Sequence, residues 1–211
     1  MPLLPYCILL TRPGVEFPQR GVQDAAVCKM EVDPLLALYS EIDQSSLSPD
    51  SFKNDALAFH KVVHGIFDQI ALVPFRFPTW LTPAELKAHL AEKSADYQRF
   101  LTSHANDVQM ELRVEAAAAS SMGAATTGTQ HLRQRAEMRR ALRQRADDLK
   151  HLLGGHTMEW REREIPDGVR LFALIERERV AEFREKLSLR NSDVRCSGPW
   201  PATEFLELAT L

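Results

Sequence analysis

The residues most capable of chemistry are two histidines, a run of arginines and a scatter of carboxylates. His60 and His64 stand four apart, a spacing that lets two imidazoles on one helix share a metal. Lys61 stands where a zinc protease needs its glutamate, and no third ligand is evident. We therefore read the two histidines as flanking a core stripe. Arg133, Arg135, Arg139, Arg140, Arg143 and Arg145 share one helical stretch. Such a face can grip phosphates or an acidic protein surface. No aromatic residue interleaves it, so it offers bases nothing to stack on. Glu137, Asp147 and Asp148 offset part of its charge at helical spacing. A solvated basic face ranks first, an acidic protein partner second and nucleic acid last. Nucleophile elbows, phosphate-cradling glycine loops and zinc spacings are missing, and the 9 glycines form no phosphate-binding cluster. The carboxylates are dispersed, so they suggest no acid–base pair. No catalytic residue, metal or cofactor is expected, and the chain reads as a non-enzyme.

The elements that must position these groups belong to an ordinary globular chain. It has 211 residues, 45% hydrophobic and 26% charged, with a net charge of −3. That length allows one large or two small domains. Three widely spaced cysteines (Cys7, Cys28, Cys196) fit neither a disulfide framework nor a metal pattern, and point to a reducing compartment. The start lacks a basic leader, and no apolar run approaches the roughly 20 residues of a membrane helix. A cytoplasmic protein without membrane contact is expected.

Tyr6 to Leu10 reads as a buried strand closed by Pro13-Gly14. Residues 22–32 read as a second strand. Asp33-Pro34 reads as the start of a short helix, with Asp as cap and Pro at the first position. Phe52, Ala56, Phe59, Val63, Ile66 or Phe67, and Ile70 draw one apolar stripe on a longer helix. Residues 71–78 read as a strand, which Pro74 confines to an edge or a bulge. Leu81-Thr82-Pro83-Ala84-Glu85-Leu86 carries a capping box and a hydrophobic staple, and the helix it opens is expected to reach about residue 104.

Val108 to Glu115 alternates apolar and polar, the mark of a strand with one wet face. Residues 116–128, rich in Ala, Ser, Thr and Gly, read as a mobile loop. A long basic helix over 129–153 ends at Gly154-Gly155. Strands at 157–164 and 169–176 flank the turn Pro166-Asp167-Gly168. A helix over 178–188 precedes a last strand holding Val194 and Cys196, which a Gly-Pro break ends. The order strand, helix, strand, strand, helix, strand is that of a ferredoxin-like fold. Its outer face is expected to be charged through Glu111, Arg113, Glu159 and Arg161. The fold class is thus α+β, in two domains meeting near residue 106. Residues 1–106 form an N-terminal α+β domain, a modified form of the second. Residues 107–211 form the ferredoxin-like domain with its long helix and tail.

Several segments carry a resemblance that spans nearly the whole chain. They are Tyr6-Cys7-Ile8-Leu9; Phe59-His60-Lys61-Val62-Val63; Val73-Pro74-Phe75-Arg76-Phe77-Pro78-Thr79; Met110-Glu111-Leu112-Arg113-Val114; and Ser197-Gly198-Pro199-Trp200-Pro201. In this order they resemble the gas vesicle protein L/F family. Pro78 departs from the family's glycine, and Ala202-Thr203 from its Pro-Tyr. The resemblance implies a minor, non-enzymatic gas vesicle protein needed for assembly. Its implied partners are the hydrophobic shell protein and other minor gas vesicle proteins. It also implies a partner role for Tyr6, His60, Pro74, Arg76, Phe77 and the Gly198-Pro199-Trp200-Pro201 stretch. Trp200 between two prolines reads as a stiff anchor or a docking surface. The competing reading is a ferredoxin-like regulatory module that binds a ligand or nucleic acid through the face of Arg133, Arg139, Arg140 and Arg143.

Overall fold

The apolar N-terminal run lies inside a sheet. The computed structural model describes residues 1–115, 128–166, 168–189 and 194–207. Strand β1 (Leu3–Leu10) pairs antiparallel with β3 (Leu35–Glu41) on one side and β4 (Val73–Pro74) on the other. Strand β2 (Cys28–Val32) flanks β3, giving the order β2-β3-β1-β4. Consecutive residues of β1 are buried, which requires cover on both faces. Helices α1 (Phe52–Phe67) and α3 (Ser94–Ser103) pack on it.

Four expectations for this half need correction. Asp33-Pro34 does not begin a helix; it is the turn of the β2–β3 hairpin, with Val32 opposite Leu35. Leu35 to Leu38 are all buried, and an unbroken apolar run of that length cannot be told from a helix by periodicity. Residues 22–24 form a 3₁₀ turn, with Gln23 and Asp24 at positive φ, and the strand begins only at Cys28. Of residues 71–78 only Val73–Pro74 is strand, at the edge that the proline demands. The helix opened at Thr82 stops at Glu92 (α2, Pro83–Glu92), and α3 resumes at Ser94, although neither glycine nor proline stands there. The capping box itself is present. Thr82 Oγ1 accepts from the Glu85 N–H at 3.2 Å, and Glu85 Oε2 accepts from the Thr82 N–H at 2.7 Å.

In the second half, β5 (Asp107–Glu115) lies between β7 (Gly168–Glu176) and β8 (Arg195–Trp200), with β6 (Glu159–Ile165) outside β7. All pairs are antiparallel. Val108, Met110, Leu112 and Val114 face Ile175, Ala173, Leu171 and Val169 across the ladder, all buried. Ala146, Leu149 and Leu153 of α4 (Gly128–Leu153) and Phe183 and Leu187 of α5 (Val180–Ser188) complete this core. Residues 116–127, the bulk of the expected loop, and Asp167 of the expected turn lie outside the described residues.

The opposite face of this sheet is not simply wet. Gln109, Phe172 and Leu174 on it are buried. The chain after β8 folds over them through a 3₁₀ turn at Thr203–Phe205, which buries Ala202 and Phe205. Gln109 Oε1 accepts from the Glu204 N–H at 3.0 Å, and the Arg161 guanidinium lies 5.4 Å from the Phe205 ring. The last strand is likewise not ended by Gly-Pro but runs on through Trp200. The chain separates into two compact units, Met1–Asn106 and Asp107–Phe205.

Candidate partner-binding surfaces

Tyr6 is fully buried, so it cannot itself touch a partner. The Val22 N–H donates to its Oη at 3.0 Å. Ser40 Oγ donates to the Ala26 carbonyl at 2.9 Å, which leaves Tyr6 to donate to Ser40 Oγ at 2.9 Å. Three hydrogen bonds thus tie the turn at 22–26 to β1 and β3. Burial pushes the phenol pKa up, and the bonds from Ser40 and Val22 oppose this. The turn approaches so closely that a Cβ on Gly21 would sit 2.1 Å from Tyr6 Oη.

From Tyr6 an aromatic series leads to the surface. Tyr6 stacks on Phe59 at 5.1 Å, Phe59 on Phe77 at 5.2 Å, and Phe77 on Phe52 at 5.3 Å. Tyr6, Phe59 and Phe77 come from three of the segments singled out by sequence, and the fold brings them together. Phe77 is half-buried, and Phe52 is 45% exposed. The adjacent β4 pairs only with β1 among the described residues, with Pro74 opposite Cys7. Arg76 is exposed beside it. His60 is exposed on α1, 5.4 Å from the His64 ring, and His64 pairs with Asp68 at 3.1 Å. No group of three or more His, Cys, Asp or Glu among the described residues is placed to hold a metal ion.

In the second unit, Gly198 (φ +118°) follows a shift in the β5–β8 register, and a Cβ there would meet the Gln109 carbonyl oxygen at 2.8 Å. The Gly198 carbonyl accepts from Arg184. Pro199, Trp200 and Pro201 are half-buried, and Trp200 Nε1 donates to Ser197 Oγ at 3.2 Å. The fully enclosed side chains of this segment are Ala202 and Phe205. The stretch therefore steers the chain over the sheet, and Phe205 supplies the apolar cover.

Sequence reasoning missed a row of charge. Arg163 stands opposite Arg170, Arg170 opposite Arg113, and Arg113 opposite Arg195, so four arginines cross four strands side by side. Like charges directly opposite are destabilising. Carboxylates answer them: Glu204 lies 2.7 Å from Arg163, Glu111 3.4 Å from Arg170, and Glu115 2.7 Å from Arg113. Only the register of the ladder reveals this row, because its members are far apart in sequence.

On α4, Arg133, Arg139 and Arg140 are exposed, and Arg143 pairs with Glu164 of β6 at 2.7 Å. That hydrogen bond holds the Glu164 carboxyl below the usual carboxylate range. Arg135, Arg139 and Arg143 border a cavity of about 150 Å³ between α4 and the β6–β7 hairpin.

Two four-stranded antiparallel sheets with their helices define a protein of α+β class. A family model described as gas vesicle synthesis protein GvpL/GvpF matches residues 3–207, and the chain belongs to that family. Its fold is similar to the crystal structure of the gas vesicle protein GvpF from Anabaena sp. PCC7120, at 15% identity and a TM-score of 0.73, covering 99% of this chain and 97% of that one. It is similar also to GvpF from Microcystis aeruginosa, at 15% identity and a TM-score of 0.76, covering 98% and 99%. No curated protein matches the sequence. Among the described residues no helix is long and apolar enough to cross a membrane.

Proposed function

We propose that this chain is a non-enzymatic gas vesicle assembly factor that binds the hydrophobic shell protein during nucleation or growth, in the cytoplasm and at the vesicle. We assign it two domains meeting near residue 106, the second ferredoxin-like and the first a modified version. What supports the fold assignment is the shared strand order of the two sheets and the β5-α4-β6-β7-α5-β8 sequence of the second.

The observation that carries the binding reading is the aromatic pair Phe77 and Phe52, which reaches the surface beside β4. Strand β4 is two residues long and Pro74 has no N–H to offer an added strand, so apolar side chains rather than strand pairing supply the contact. An apolar shell subunit suits such a surface. The test is co-expression with the shell protein followed by affinity capture. Wild-type chain captures the subunit, and Phe52→Ser with Phe77→Ser reduces capture at least about tenfold, the loss of one or two apolar anchors. No capture by the wild type, together with normal vesicles after deletion of the gene, overturns the reading.

A further inference from the structure

The apolar stripe of α4 runs beyond the sheet it serves. Ala146, Leu149 and Leu153 are buried against β5 and β7, whereas Leu142 and Met138, on the same stripe, are only half-buried. A helix of 26 residues is roughly 39 Å long at 1.5 Å per residue, and the 9-residue β5 spans about 30 Å. Residues 135–143 of the helix face the β6–β7 hairpin. There Met138, Leu142, Ile165 and Pro166 line the floor of the 150 Å³ cavity.

Along its rim stand Arg135, Arg139 and Arg143, spaced i, i+4, i+8. Like charges at that spacing weaken a helix. Among the described residues Glu164 is the carboxylate that lines the cavity; it pairs with Arg143 and feels the charge of Arg139. Among the described lining residues three cations thus border the apolar floor with one counter-charge.

We propose that this cleft is a docking site for an acidic amphipathic segment of another protein, whose apolar side chains continue the α4 core stripe and whose carboxylates pair with Arg135 and Arg139. The charge rules on the alternatives. A second copy of this chain seated α4 to α4 would set arginine against arginine. A nucleic acid would find no aromatic ring in the cleft on which to stack. The site is separate from the β4 edge and does not rest on the shell-binding reading.

The probe is a fluorescein-labelled helical peptide of about 14 residues, with Leu at i, i+3, i+4 and i+7 flanked by Glu, followed by anisotropy against the full chain. Saturable binding is expected, weakening between about 50 and 200 mM salt. Replacing every Glu of the peptide by Gln, or every Leu by Ser, weakens it at least about tenfold, as loss of charge pairs or of apolar anchors would. Arg135→Glu with Arg139→Glu does the same, and Arg135→Gln with Arg139→Gln does so without reversing charge. Circular dichroism checks that both variants stay folded. Four outcomes overturn the proposal: no saturation by about 1 mM peptide, equal binding by the folded Arg variants, a single-stranded oligonucleotide that outcompetes the peptide, or self-association of the chain through this face. Because vesicle formation is not read, the result is independent of the assembly test.

Discussion

Both sheets place the first strand of their unit third in the row, β2-β3-β1-β4 and β6-β7-β5-β8, and both units bury that strand, by different means. In the first, Leu3 to Leu9 is apolar on both faces, and helices α1 and α3 pack on it. In the second, β5 alternates. Its apolar face meets α4 and α5, and its polar face is covered by a few residues after Trp200. The first unit thus has a conventional core with an aromatic outlet to the surface. The second depends on one short segment to shelter Phe172 and Leu174 among charged neighbours. A polar sheet face can be sheltered this way only where its buried amide finds a partner, and Gln109 does so in the Glu204 N–H.

The largest expected effect breaks that dependence. Phe205→Ala removes the main apolar cover and costs about 3 kcal/mol, at the lower end for a buried aromatic because a terminal segment can relax. Amide hydrogen exchange should show the loss in β5 and β7 and leave β1 protected. Unchanged protection in β5 and β7 would mean that the tail is not what shelters this face.

A smaller effect is expected in the first unit. Tyr6→Phe keeps the ring stacked on Phe59 but removes the acceptor of the Val22 N–H and the donor to Ser40. Leaving one buried donor unpaired costs about 1–2 kcal/mol. Exchange should rise at residues 22–26 and in β3, with β5 and β7 unaffected. Full stability in Tyr6→Phe would show that the three-bond tie is incidental.

Legibility in the sequence follows the same divide. Where burial is mostly one-sided, period decides the element. The strand at Val108 to Glu115, the helix that carries Phe59, Val63 and Ile66, and the capping box at Thr82 are read as the structure has them, although Gln109 proves buried, Phe52 is exposed and Ile70 lies past the end of α1. Where both faces are covered, period vanishes, and Leu35 to Leu38 is mistaken for a helix start. Tertiary cover is equally invisible: nothing in the alternation of β5 announces that Phe205 will fold over Gln109. Of the residues drawn from the family resemblance, Tyr6 and Phe77 prove to be neighbours in one aromatic series through Phe59, while His60 lies beside His64 on the exposed side of α1 and Arg76 is exposed. The arginine row across β6, β7, β5 and β8 needs the register, which the sequence does not state.

The smallest expected effect concerns proton uptake at His89, a half-buried histidine of the first unit. His89 Nε2 lies 2.8 Å from Tyr97 Oη, with the Phe75 ring 5.8 Å away. Burial raises the Tyr97 pKa, so the phenol donates and His89 accepts as neutral imidazole. Burial is also the main cause that lowers the His89 pKa. Glu92 opposes it and Lys93 adds to it. A histidine whose folded pKa lies below its unfolded value of about 6.5 takes up protons more readily when unfolded. Its contribution is complete above that value and is lost as pH falls through the folded pKa. His89→Gln preserves an acceptor for Tyr97 but removes the titration. Between pH 7 and pH 5 the melting temperature of the wild type should therefore fall slightly more than that of the variant, in the transition assigned to the first unit. Parallel curves would show that His89 is charged in the folded chain at pH 5 at no cost, and that the His89–Tyr97 contact does not depend on a neutral ring.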